Sequence, residues 1–312
     1  MTEANAAGKI ILFGEHAVVF GQPAIAVPVA EVYATADVSD SEAIEPGQIR
    51  IIAPDIRDSM WLHDAPEDQP LAKAVRLTLE MLPPQQMAGL SIEIRSTIPI
   101  ASGMGSSAAV SVAIVRALSR HFEYPLPPEE QSSIAFEVEK LHHGTPSGVD
   151  NTVVSHEKPV VFTQGEEPKP FEVGQSLNLI IGDTGLPSPT LEAVAMVREG
   201  WKQDEAYYQS LFDQIGDLTR LALRSIKAGE LKAIGSLMNH NQKLLQALGV
   251  SSVELENLIQ AAQEVGALGA KLSGAGLGGN MIALASYENV DAIRDAIENS
   301  GATRTIFTTV ET

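Results

Sequence analysis

The sequence predicts an α/β protein built from two domains, and three observations lead there. Short strand-like runs, such as the alternation of Leu90, Ile92 and Ile94, recur between longer stretches with helical spacing. The chain has 312 residues, more than one domain at ~100–200 residues each. A polar segment mixing Gly, Pro and charge, TQGEEPKPFEVG at 163–174, interrupts the pattern, so the domains are placed at 1–165 and 166–312. Apolar residues make up 44%, enough for a core in each.

Taken in order, residues 9–40 are rich in Ile, Val, Phe and Ala and are broken at Gly14, Gly21 and Pro23, so they read as strands joined by a functional loop. Residues 41–70 are polar and predict loops or an edge hairpin. Leu71–Met81 has helical spacing and stops before Pro83 and Pro84. Gly89–Ile98 is a half-buried strand, 99–107 a Gly/Ser loop, and Ala108–Leu118 a buried apolar helix. A second helix is expected over about 129–142, a loop over 143–151, and strands at Thr152–Val154 and Val160–Phe162. The second half opens with a strand, Leu177–Ile181, and continues with helices near 188–213, 214–228, 230–247 and 252–267. A glycine patch, a strand at Met281–Leu284, a helix at 288–299 and a strand at 302–310 complete it.

The charge balance narrows the function. Lys and Arg number 21 against 40 Asp and Glu, a net charge of −19. Such a surface repels phosphate backbones and anionic lipid, which argues against nucleic acid and membrane partners. Cysteine is absent, which excludes disulfides, thiolate metal sites and a cysteine nucleophile. No apolar run reaches the ~18 residues of a membrane span. The opening MTEANAAGKI lacks a basic region followed by an apolar one, so no signal peptide is expected and the protein is read as cytoplasmic.

Three glycine-rich patches and one acidic segment carry the candidate chemistry. In PIASGMGSSAAVSVAIVRAL, residues 99–118, a strand enters, a Gly/Ser loop turns and a helix leaves. Gly103 and Gly105 permit close backbone approach, Ser106 and Ser107 stand where an N-cap is expected, and the helix start suits a phosphate. An ordinary Ser-capped turn accounts for the same residues equally well. KLSGAGLGGNMIAL, residues 271–284, satisfies G-x-G-x-x-G at Gly274, Gly276 and Gly279, but a helix is expected before it and a strand after it. That order is the reverse of a dinucleotide-binding turn, leaving a glycine loop packed on a ligand or on another loop. In KIILFGEHAVVFGQPAIAVPV, residues 9–29, Lys9, Glu15 and His16 flank one short turn, either as a polar substrate site or as a solvated turn. In FEVEKLHHGTPSGVDN, Glu139 is placed on a helix and Asp150 on a loop, where two carboxylates could divide metal binding and proton acceptance, or be a surface charge and a turn residue. His142 and His143 are adjacent on a helix and diverge, which favours helix-end capping over metal binding. Asp183-Thr184-Gly185 matches half of an aspartic protease site, and the second loop is missing.

Together, K-x5-E-H-A-V-V-x-G, P-x3-G-x-G-S-S-A-A, G-T-P-S-G-V-D-N and K-L-S-G-A-G-x-G-G, in this order over residues 9–284, resemble the GHMP small-molecule kinases and, within them, the mevalonate kinase family. Galactokinases share the glycine loops but usually continue G-E-H with T-D, whereas this chain continues Ala17-Val18-Val19. The resemblance implies a ribosomal-protein-S5-domain-2-like N-terminal domain, a ferredoxin-like C-terminal domain, an active site in the cleft between them, and ATP-dependent phosphorylation of the mevalonate 5-hydroxyl. It implies ATP contacts from Pro99, Ala101, Ser102, Gly103, Met104, Gly105, Ser106 and Ser107. Ser106 and Glu139 would hold Mg²⁺, Asp150 would face the substrate hydroxyl, and Lys9 would lie beside it. Glu15, His16, Thr190, Gly274 and Ala275 would contact mevalonate. Relatives of this kind are commonly homodimers.

Leu277 and Asn280 depart from the usual G-A-G-G-G-G-C, and Leu191 follows Thr190 where a basic residue is frequent; both bear on substrate fit or nucleotide contacts. The competing readings are another GHMP enzyme, such as a phosphomevalonate or sugar kinase, a diphosphomevalonate decarboxylase-like lyase, and a silent metabolite-binding regulator. No Lys/Arg cluster suited to phosphomevalonate is identifiable, and the acid and lysine that a silent relative usually loses are both present.

Overall fold

A computed structural model of the chain describes residues 1–84, 87–99, 102–143 and 146–312, with the side chains of His142 and His143 outside that description. Its elements run β1 (Thr2–Phe13), β2 (Ala24–Asp40), β3 (Ile49–Ala53), β4 (Asp58–Trp61), α1 (Pro70–Met81), β5 (Leu90–Ser96), α2 (Ser106–His121), α3 (Pro128–His143) and α4 (Val149–His156). They continue with β6 (Val160–Phe162), β7 (Lys169–Pro170), β8 (Leu177–Asp183), α5 (Thr190–Gln203), α6 (Glu205–Ala228), α7 (Leu231–Ala247), α8 (Val253–Glu264), β9 (Gly269–Ser273), β10 (Asn280–Ala285), α9 (Val290–Asn299) and β11 (Arg304–Val310). Among the described residues, no helix is long and apolar enough to cross a membrane.

By packing, the chain forms two units, each assembled from separated segments. The first holds Met1–Gly8, Val32–Pro99 and Gly105–Glu157; the second holds Lys9–Glu31, the described part of Ile100–Met104, and Lys158–Thr312. The long strands β1 and β2 each pass from one unit into the other.

In the first unit, β2 pairs antiparallel with β5 from Ala34↔Ser96 to Asp40↔Leu90, β5 lies parallel to β3, and β4 closes the edge as a hairpin on β3. The expected edge hairpin within 41–70 is therefore present. Alternation on β5 buries Leu90, Ile92 and Ile94. Helix α2 is buried along most of its length and packs on α1, α3 and α4. Leu82, Val115, Leu126 and Ile134 form an apolar cluster among these helices.

In the second unit, β8 to β11 form an antiparallel sheet of order β11-β8-β10-β9. Counted within the sheet, this is the 4-1-3-2 order of a ferredoxin-like sheet. Its core joins Ile180, Leu272, Met281 and Ala283 to Val197, Phe212, Leu245, Leu258 and Ile293.

Five expectations need correction. Thr152–Val154 is not a strand: these residues lie inside α4, where Gly148 at φ 88 starts the helix and the Thr152 hydroxyl donates back to the Gly148 carbonyl. Local β propensity yields there to packing against α3. The break expected at 213/214 falls at Asp204, whose carboxylate caps α6 by accepting from the Tyr207 N–H. A strand, β9, directly precedes the glycine patch, so the loop joins two antiparallel strands. The first strand begins at Thr2 rather than near residue 9, and a short strand, β7, lies within the polar 163–174 segment.

Candidate active site

In the second unit, β1 delivers Lys9 and then turns at Gly14-Glu15-His16. Gly14 has φ +95, and a Cβ there would fall 2.4 Å from the Pro23 carbonyl oxygen, so the turn closes only with glycine. The Lys9 side chain is buried, and its backbone N–H donates to the Met104 carbonyl at 3.0 Å. His16 takes a left-handed φ of 60° although it has a side chain. A short 3₁₀ turn follows, and Phe20 at its end stacks on Phe212 at 4.0 Å, anchoring the turn in the core.

Both side chains of the turn are inside. His16 Nε2 lies 2.8 Å from the Ala275 carbonyl. A carbonyl only accepts, so Nε2 carries the proton and Nδ1 is left as an acceptor, buried and without a hydrogen-bond partner among the described residues. Glu15 pairs through Oε1 with the Lys271 ammonium, and both side chains are 0% exposed. The second carboxylate oxygen, Oε2, is likewise buried and has no hydrogen-bond partner there. Burial pushes the Glu15 carboxyl up, and the Lys271 and Lys9 charges pull it back toward ionisation. Burial lowers the Lys271 ammonium, against the attraction of Glu15. Burial also lowers His16 to about 4, keeping the imidazole neutral.

The glycine loop between β9 and β10 is braced on several sides within this unit. Leu277 N–H donates to the Val250 carbonyl at 2.7 Å, and Gly279 N–H to the Leu186 carbonyl at 2.9 Å. The Ser188 hydroxyl donates to the Gly276 carbonyl at 3.1 Å. Asn280, one of the departures from the family pattern, donates through Nδ2 to the Ser102 carbonyl at 2.6 Å. Leu277, the other, sits at φ 58, a conformation that glycine adopts more easily. The Asp183-Thr184-Gly185 segment proves to be a turn: the Asp183 carboxylate accepts from the Gly185 N–H, and the Thr184 hydroxyl donates to Gly279.

In the first unit, Ser106, Glu139 and Asp150 fall on α2, α3 and α4, three helices packed on one another. Ser106 and Ser107 are not N-caps: Gly105, at φ 73, holds that position with no side-chain cap bond, and the two serines open the first turn. Asp150 is not on a loop but in the first turn of α4. Glu139 is 3% exposed, which removes its reading as a surface charge. Ser106 and Glu139 offer oxygen donors only, the type Mg²⁺ prefers. Among the described residues, no group of three or more His, Cys, Asp and Glu is placed to hold a metal, so phosphate and water oxygens would have to complete such a shell.

The structure thus joins His16 to Ala275 and sets Gly274 beside it on the glycine loop, while Gly103 and Met104 lie next to the Ser102 that Asn280 holds. Thr190 opens α5 and is exposed, as is Leu191 at 68%. Pro99 closes the described segment after β5, Ala101 lies outside the described residues, and so do Gly144 and Thr145 of the G-T-P-S-G-V-D-N motif. His142 and His143 end α3, but their side chains fall outside as well. Lys271 heads the K-L-S-G-A-G-x-G-G motif, but the sequence reading assigned it no role; its signal was a lysine beside apolar neighbours, Ala270-Lys271-Leu272.

Comparison with known proteins agrees with this geometry. The family model of the GHMP kinases N-terminal domain matches residues 70–157, and that of the GHMP kinases C-terminal domain matches 222–303. The mevalonate kinase of Thermococcus sibiricus is 37% identical over 320 positions, covering 96% of this chain and 93% of the relative. That of Pyrococcus horikoshii is 37% identical, covering 90% and 88%. The crystal structure of L. major mevalonate kinase in complex with R-mevalonate superposes with a TM-score of 0.84 at 32% identity, over 100% of this chain and 96% of that one. With identity of this level over nearly its whole length, the chain belongs to the mevalonate kinase family of the GHMP kinases.

Proposed function

We propose that the chain transfers the γ-phosphoryl group of ATP to the 5-hydroxyl of mevalonate. The observation that carries this reading is the pair of buried acceptors on one turn, Glu15 Oε2 and His16 Nδ1, which have no donor among the described residues and suit a substrate bearing hydroxyl groups. Family membership supplies the identity of that substrate.

In this reading, the start of α2 receives the ATP phosphates at the positive end of the helix dipole, and Pro99 and Ala101 to Ser107 contact the nucleotide. Mg²⁺, held by Ser106 and Glu139, would neutralise phosphate charge. Asp150 accepts a hydrogen bond from the attacking hydroxyl and orients it, and Lys9 stabilises the charge on the travelling phosphoryl group. Glu15, His16, Thr190, Gly274 and Ala275 hold mevalonate. Positioning and charge neutralisation dominate phosphoryl transfer, which fits a site built from charged and hydrogen-bonding groups. We place the domain division at 165/166, between the two family matches, and infer a cytoplasmic homodimer, which light scattering on the purified protein would test.

The test is coupled ADP release with ATP and Mg²⁺, offering mevalonate, phosphomevalonate, diphosphomevalonate, galactose and homoserine separately. Turnover on mevalonate, lost by roughly 10²–10⁴-fold in Asp150→Asn, is expected. Turnover confined to another acceptor, or carbon dioxide release from diphosphomevalonate, would overturn the assignment.

A further inference from the structure

We propose that Lys271 is a positioning residue for the acceptor substrate: its sealed ammonium holds Glu15, and through Glu15 the turn that presents Glu15 Oε2 and His16 Nδ1. The inference rests on the reading of Glu15 and His16 as mevalonate contacts and gives a role to the lysine that heads the K-L-S-G-A-G-x-G-G motif.

The geometry is a grip. Strand β9 forms one edge of its sheet, and it engages the β1 turn at alternate positions. Lys271 binds the Glu15 carboxylate. Ser273, two residues on and on the same strand face, accepts from the Ile11 N–H at 3.1 Å and donates to the Ile11 carbonyl at 2.8 Å. Ala275, two further, receives His16 Nε2. The ammonium is also tied to its own strand, donating to the Leu272 carbonyl at 2.5 Å. The segment being gripped needs restraint, because His16 sits at φ 60, ψ −50.

A lysine and a glutamate in full burial are an expensive way to fill space. Apolar residues of similar volume are often as stabilising as a buried ion pair, so the pair makes better sense as a device that fixes geometry. It fixes a carboxylate with one oxygen engaged and the other open, something an apolar pair could not do. Glu15 faces Lys271 from β9 and Lys9 from β1, with His16 beside it on the turn. Without Lys271, two of the interactions that offset burial are lost, only a backbone hydrogen bond and Lys9 still favour the charged carboxylate, and the Glu15 carboxyl moves further up.

The experiment compares wild type, Lys271→Met, Glu15→Gln and the double variant. KM for mevalonate and for ATP are measured separately, with pH profiles, and amide hydrogen exchange is followed over residues 14–21 and 280–285. Lys271→Met is expected to raise KM for mevalonate about tenfold or more, with KM for ATP within about twofold of wild type. The pH profile of its kcat/KM for mevalonate should move to higher pH relative to wild type, a displacement that the double variant lacks. Exchange should quicken over 14–21 and not over 280–285. Wild-type KM and exchange in Lys271→Met would overturn the proposal. If that variant does not fold, the double variant decides. Acting through Glu15, Lys271→Met should add nothing to the KM of Glu15→Gln, and a further rise would overturn the idea. A wild type with no mevalonate turnover would instead refute the kinase reading, and the exchange at 14–21 would still report whether Lys271 holds the turn.

Discussion

Arg116 offers the sharpest test of how the first unit is held together. It lies inside the apolar helix α2, 8% exposed, and all five N–H donors of its guanidinium have acceptors. Nε donates to Gln131 Oε1 at 2.9 Å, one terminal nitrogen to the Asn5 carbonyl at 3.0 Å and to the Glu157 carboxylate, and the other to the Val154 and Ser155 carbonyls at 3.4 and 2.9 Å. One side chain therefore ties α2 to β1, to α3 and to the end of α4. In Arg116→Met the stem volume is nearly kept while four neutral acceptors lose their donor, at about 1–3 kcal/mol each before relaxation. Glu157 is half exposed and regains water, so it is left out of the sum. Shifts of the carbonyls toward water bring the net loss to about 3–5 kcal/mol, the range for breaking a buried charge network. At ~2–4 °C per kcal/mol for a chain of 150–250 residues or more, the melting temperature should drop by roughly 6–20 °C. Because the proposed mechanism has Asp150, in the first turn of α4, orient the hydroxyl, kcat at a temperature where the variant is folded should also fall by about 10–100-fold. Arg116→Lys keeps the charge without the planar fork and should fall between. The assay is thermal unfolding followed by circular dichroism, with ADP release in parallel. A melting temperature within about 2 °C of wild type would refute this account of α4.

Further expectations concern the second unit. His16, lowered to about 4, refuses a proton that the unfolded chain accepts near its ordinary pKa. Stability should therefore fall as pH drops from about 6.5 to about 4, by up to roughly 3 kcal/mol, and His16→Asn should lose that slope in denaturant titrations. In Gly276→Ala, at φ +77, the new Cβ would lie 2.0 Å from the Val250 carbonyl oxygen, so the variant should unfold at least ~2 kcal/mol more easily and lose mevalonate affinity; an unchanged melting curve would contradict the tight loop. Asn280→Ala removes the hydrogen bond to the Ser102 carbonyl and should cost about 1–3 kcal/mol while raising KM for ATP more than KM for mevalonate.

Most elements were legible because their signals are local. The alternation in 90–96 gives a strand, the prolines at 83 and 84 stop α1, and the Gly/Ser loop announces the start of α2. The misread elements are those where neighbours overrule local preference. Thr152-Val153-Val154 has the composition of a strand, yet Gly148 at its head and packing on α3 make it helical. That change moves Asp150 from a loop to the first turn of a helix, which fixes its direction more firmly. Ser106 and Ser107 looked like caps, but Gly105 takes the cap, a choice set by a left-handed backbone that composition does not reveal.

By itself, the sequence determined the chemistry-bearing residue types and their order: the G-E-H turn, the Gly/Ser loop before α2, the acidic pair Glu139 and Asp150, and the terminal glycine loop. Motif order is a covalent property, so it survives without coordinates. Only the tertiary structure decided which of these residues are sealed from water and what meets them there. Lys271 stands 256 positions from Glu15, and Asn280 stands 178 from Ser102. Contacts at such separation arise when strands pair and helices pack, and burial, with the shifted proton affinities of Glu15, His16 and Lys271, follows from that packing rather than from any local run of residues.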